Sequence, residues 1–205
     1  MLVIDLLGDV AESLHDPAME KVDLNRLIKF LNDASRDART EGWYVHKADD
    51  TSIVLADATY DYEIPAAFCS IYELWMEDII GEGVFATPIQ PALWTPELHS
   101  DAKSYIHFYS PFFEPDAGRD LKIKGQGRPS TYTVSLTGEI DANMESFLRE
   151  RALSYAARFL ASGGAEFSPV YDKLGDKAWA ISERLLHSHP QQMRQRTNSK
   201  VIPGR

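Results

Sequence analysis

Cysteine is almost missing from this 205-residue chain: Cys69 stands alone, which excludes an intramolecular disulfide and any multi-cysteine metal cluster. Set among Phe68, Ile71 and Tyr72, it reads as a small buried thiol without a redox role, so nothing demands an oxidising compartment. Long apolar runs are missing as well. No stretch approaches the ~20 residues of a membrane-spanning helix, so no membrane partner is expected and the chain reads as soluble. The apolar opening, Met1 to His15, is interrupted by Asp5 and Asp9, follows no basic residue and precedes no small-residue cleavage pattern, which points away from a secretion signal. Positive charge is scarce: 21 basic residues face 31 acidic ones, a formal net charge of -10. What there is of it clusters at the end. From Pro190 onward Arg194, Arg196, Lys200 and Arg205 meet no acidic residue, leaving residues 1–189 with 17 basic and 31 acidic side chains. A body so acidic is excluded as a general DNA-coating protein, because phosphate affinity comes from Lys and Arg.

Signatures of chemistry are equally thin. Gly125-Gln126-Gly127 lacks the third glycine of a dinucleotide loop and the Lys-Ser/Thr of a phosphate loop, and reads as a turn. His187-Ser188-His189 has no third metal ligand spaced with it, so solvated histidines are expected. Asp49-Asp50, Glu77-Asp78 and Asp61 with Glu63 supply paired carboxylates of the kind a glycosidase uses, yet 31 acids make such pairs common by chance. No catalytic residue, metal or cofactor is assigned, and the chain is not read as an enzyme.

What is present is periodicity. Val3, Leu7, Val10 and Leu14 share one helical face. Asp23 is a good N-cap for a second helix carrying Leu24, Leu27, Ile28, Leu31, Ala34 and Ala38, which Gly42 ends. Near the other end, Met144, Leu148, Ala152, Tyr155, Ala156, Phe159 and Leu160 form a stripe, with Glu145, Arg149, Glu150, Arg151, Ser154 and Arg158 filling the opposite side. After Gly163-Gly164, which offers the freedom a reversal needs, Ser168-Pro169 opens a further helix with Tyr171, Leu174, Ala178, Ile181 and Leu185. Residues 141–187 thus predict a helical hairpin that packs on the N-terminal helices.

Between these helical parts the period shortens to two. Thr51 to Ala56 and Tyr60 to Ile64 predict a β-hairpin, stopped by Pro65, and Phe68 to Met76 a third, more buried strand. Leu121 to Lys124 and Tyr132 to Leu136 predict a second hairpin, or two sheet strands with a loop between them. From Ile79 to Gly118, where five prolines interrupt seven aromatic residues, the pattern allows a short helix over 96–103 with a strand over 105–109, or an irregular packed extension. The aromatic stretch from Trp75 to Phe113 fits either a core or interface, or a stacking platform for sugars or bases. The tail beyond Pro190 has no periodicity and is expected to be flexible; it fits a solvated terminus, a nucleic-acid arm or a segment that orders on a partner protein, and the apolar Val201-Ile202-Pro203 slightly favours protein docking over a phosphate contact.

The fold class is α+β: a small helical bundle from N-terminal helices (1–41) and a C-terminal helical hairpin (141–187), with a β-rich insertion (43–136) and a flexible C-terminal tail. Several pieces stand in a telling order. They are Leu31-Asn32-Asp33-Ala34 in an amphipathic helix, Trp43 soon after, the segment 51–65 ending in Tyr62-Glu63-Ile64-Pro65, then Arg119 to Gly125 with Gly127-Arg128-Pro129, and Arg151-Ala152-Leu153 with Ala156-Ala157. In this order the chain resembles the head-to-tail connector, or adaptor, proteins of tailed bacteriophages. The resemblance implies a single adaptor-like domain over 1–189 and a basic tail over 190–205. It implies a homo-oligomeric ring, about twelvefold, beneath the portal protein ring, assembled in the host cytoplasm and ending in the virion neck between capsid and tail. Such a ring extends the channel for double-stranded DNA without specific binding and offers an attachment surface to the adjacent neck or tail protein. It further implies that Arg194, Arg196, Lys200, Val201, Ile202 and Arg205 dock on the portal. The alternatives are another neck component, a stopper or tail-completion protein, and a carbohydrate-binding module using the aromatic stretch 75–113.

Overall fold

A computed structural model describes residues 1–101, 103–135, 137–141, 143–163 and 169–188. Within these, the chain divides into two compact units, residues 1–45 with 128–188, and residues 46–127.

The first unit is helical. α1 (Val3–Ser13) buries Leu6, Leu7 and Val10. α2 (Leu24–Thr40) starts where Asp23 accepts the Arg26 N–H at 3.0 Å, and buries Leu27, Leu31, Ala34 and Ala38. Gly42 follows its last turn at φ +76°, the left-handed conformation that glycine adopts freely. α3 (Glu145–Ser162) packs against α1, α2 and α4 (Pro169–Ser188). It is buried nearly all round: Glu150, Arg151 and Ser154, expected on a polar face, lie inside with Leu148, Ala152 and Ala156. Its Ala and Ser residues are small enough to let three helices approach one, which overrides the apparent single stripe. α4 buries Gly175, Ala178, Ser182 and Leu186, a line slightly rotated from the expected one. Gly163 ends α3 at φ -75°, and Gly164 and Ser168 lie outside the described residues.

The second unit is built from β1 (Val45–Val54), β2 (Asp61–Glu63), β3 (Ser70–Met76), β4 (Trp94–Leu98), β5 (Ser104–Phe108) and β6 (Asp120–Gly127). Two three-stranded sheets form, ordered β1-β6-β3 and β2-β5-β4. The pairs β3–β6, β2–β5 and β4–β5 are antiparallel. A core of Leu55, Ile71, Leu74, Trp94, Ile106, Phe108, Leu121 and Ile123 holds this unit together.

Four expectations are corrected here. β1 and β2 are not a hairpin; they join different sheets, because Tyr62 pairs with Ile106 across β5. Residues 96–98 are strand rather than helix, with Pro96 on β4, where its missing N–H faces outward from an edge. Gly125-Gln126-Gly127 is not a turn but the end of β6. A Cβ there would overlap the Ser70 carbonyl from Gly125 and the Ala67 carbonyl from Gly127, so the glycines admit the segment crossing over the strand. Finally, residues 131–135 form no strand. The Asn32 side chain receives the Tyr132 N–H at 2.7 Å and donates to its carbonyl at 2.9 Å, so a helix side chain supplies what a neighbouring strand would have supplied.

Candidate docking surfaces

The six tail residues proposed to dock, Arg194, Arg196, Lys200, Val201, Ile202 and Arg205, lie outside the described residues, as does His189. The described chain before them ends with α4, and the seat of α4 is set by one buried cation. Arg151, on α3, is 2 % exposed. Its guanidinium stacks 3.7 Å above the Trp179 ring, donates to Glu183 at 2.5 Å and stands 3.8 Å from Asp37. Tyr155 donates to the same Asp37 and meets Trp179 edge-on. Burial, then the Asp37 carboxylate, pushes the Tyr155 hydroxyl well above the ordinary tyrosine range. One arginine thus fixes α2, α3 and α4 in register. Sequence alone hides this, because Arg151 sits among charged neighbours that read as a solvated face.

A second assembly surrounds Glu77 at the end of β3. Its buried carboxylate accepts the Gly83 N–H at 2.6 Å and the Asp120 N–H at 3.2 Å. The Gly83 bond, above all, holds this carboxyl below the usual carboxylate range. Asp78 accepts the Ala86 N–H at 2.7 Å, and Arg119 donates to the carbonyls of Glu77 and Asp78 at 2.9 and 2.7 Å. Gly81 and Gly83 take φ +79° and +66°. The loop so fixed carries Ile79 and Ile80, each 57 % exposed, and Val84, 49 % exposed.

The remaining candidates disperse. On the outer face of β2 and β5, His107 hydrogen-bonds Asp61 at 2.7 Å, and Lys103, just before β5, pairs with Glu63 at 2.7 Å, so both carboxylates are engaged. His187, exposed at the end of α4, bonds back to the Glu183 carbonyl. Among the described residues no group of three or more His, Cys, Asp or Glu is placed to hold a metal ion, and no helix is long and apolar enough to cross a membrane. Of the aromatic stretch, Trp94, Phe108 and Phe113 are core, and Trp75 lies beneath Lys124 at 4.7 Å with its indole N–H on Glu73. Cys69, expected to be buried, is exposed: Phe68 points inward, and the next residue faces the other way.

Comparison with known families places this arrangement. The model of the SU10 adaptor proteins matches residues 1–198. The chain belongs to the SU10 adaptor protein family. This is a family of phage head-to-tail adaptors, structural components of the virion, and not a family of enzymes. No curated protein matches the chain. In this SU10 adaptor two features stand out: a buried arginine that fixes three helices in register, and an apolar loop on a rigid frame.

Proposed function

We propose that this chain forms a homo-oligomeric ring beneath the portal protein ring, continues the DNA channel and gives the next neck or tail protein its point of attachment. The observation that carries this reading is the family match over nearly the whole chain, residues 1–198. On this reading residues 1–189 serve as one adaptor domain and residues 190–205 as a docking tail. Charge supports the division of labour. With 31 acidic against 17 basic side chains in residues 1–189, the ring wall repels phosphates and the genome slides past without sticking. The tail carries only basic charge, at Arg194, Arg196, Lys200 and Arg205, with Val201 and Ile202 as apolar anchors, and it takes up an ordered form on the portal. The place of action is the virion neck.

The docking role of the tail is tested by sedimenting the portal ring from the same genome with the full chain and with a chain ending at His189. The full chain is expected to join the ring and the shortened chain to stay in the supernatant. Equal joining by both removes the tail from the account. Glycan addition is expected to leave the tryptophan fluorescence unchanged; quenching would favour the carbohydrate-binding alternative.

A further inference from the structure

The loop between β3 and β4 is tied down more firmly than a connection needs. Besides the bonds of Glu77, Asp78 and Arg119, the Asp78 N–H reaches the Val84 carbonyl at 2.8 Å and the Glu82 N–H reaches the Ile79 carbonyl at 3.2 Å. A buried carboxylate is spent on the frame. Yet the frame displays three branched aliphatic side chains to solvent, Ile79, Ile80 and Val84, which a loop with only a connecting role has no reason to carry. Held this way, the loop has little conformational freedom left to lose when another protein covers it, which is how a small apolar patch becomes an effective anchor.

Charge around the patch narrows the occupant. Asp78 stands at the foot of the loop and Glu82 and Asp116 are exposed beside it, against Arg119, paired with Asp116 at 2.7 Å, and Lys122, 5.3 Å from the Phe85 ring, so acid predominates by three to two. Ile80 lies beside the backbone at Gly118, so the 116–119 turn borders the same patch. Two such patches set face to face repel each other, and a phosphate backbone is repelled as well. A protein pocket rimmed by Lys and Arg is attracted. We infer that Ile79, Ile80 and Val84 form the anchor by which this adaptor holds the next neck or tail protein, inserting into an apolar pocket with a basic rim on that partner. The inference rests on the adaptor reading and adds to it the surface and the chemistry of the lower contact, which is separate from the C-terminal tail assigned to the portal.

The test uses the full chain, the portal ring and the neck or tail protein that follows it, all from the same genome. Portal and adaptor are mixed first, the following protein is added second, and each step is read by sedimentation. The variants are the double substitution Ile79→Ser with Ile80→Ser, and separately Val84→Asp; both change exposed side chains, so their melting curves should match the wild type. Both variants are expected to join the portal in the wild-type ratio and then to bind the following protein about tenfold or more weakly. Wild-type binding in that second step should also weaken as salt is raised. Unchanged binding of the following protein by both variants overturns the inference. So does a loss of variant from the portal, which would make the patch a contact between copies or with the portal. If the wild type itself fails to join the portal, the adaptor reading falls and takes the inference with it, a result distinguished by its independence of the substitutions.

Discussion

Arg151 shows how much a single side chain can hold in a bundle of this size. Buried between Trp179, Glu183 and Asp37, it cannot be removed without leaving two carboxylates short of a cation and a gap over the indole. Arg151→Ala is expected to lower the free energy of unfolding by about 3–5 kcal/mol, read by urea denaturation. Arg151→Lys should recover only part of this, because an ammonium cannot both stack and reach two partners. Glu77 makes a pH prediction. Its folded-state pKa lies below the unfolded value, mainly through the Gly83 N–H, so its contribution is present above the unfolded glutamate pKa and is lost as pH falls through the folded one. Melting temperature should therefore drop on acidification below about pH 5, and Glu77→Gln should melt lower at neutral pH with a shallower acid slope. A variant that melts like the wild type at pH 7 would contradict this role. On the alkaline side the sign reverses. Tyr155 is raised by burial and by Asp37, and Tyr132 by burial and then by the Asp141 charge, so their stabilisation holds below the ordinary tyrosine pKa and fades as pH rises above about 10. Tyr155→Phe should flatten that alkaline fall.

At the scale of elements, the glycines of β6 discriminate between a turn and a crossing strand. If the Gly127 site were a turn open to solvent, alanine would be tolerated. Since a Cβ there meets the Ala67 carbonyl, Gly127→Ala is expected to destabilise by about 2–3 kcal/mol in denaturant unfolding. Gly42→Ala, at φ +76° with open space around it, should cost about 1 kcal/mol. Equal effects would contradict the close approach at β6. The same contrast explains which parts were legible in the sequence. Helix α2 announces itself because propensity, cap and period agree, as with Asp23, the Leu27/Leu31 stripe and Gly42, and α1 does so by its period alone. Strand existence was legible over 70–76 and 121–124, but the extension to Gly127 and the pairing were not, since which strand Tyr62 or Ile106 meets depends on long-range packing rather than on period. Residues 131–135 alternate like a strand, yet Asn32 rather than another strand satisfies Tyr132. Arg151 and the Ile79–Val84 loop were illegible for the opposite reason: a charge is buried and apolar side chains are exposed, each against its own solvation preference.

The whole molecule, an SU10 adaptor, carries two candidate surfaces. The helical unit seats α4, after which the basic tail follows in the chain; the β unit carries the acid-rimmed apolar loop. On the proposed reading, the tail binds the portal and the loop binds the following neck component. Raising ionic strength should loosen the tail's contact with the portal more than it alters the fold, because exposed charge pairs are screened far more than partly buried ones such as Arg151 with Glu183. The central claim is that the chain is a portal-bound ring, and native mass measurement of the purified portal mixed with excess full chain tests it most directly. The account predicts a discrete complex with about one chain per portal subunit. A portal mass that remains unchanged at every chain concentration would contradict it.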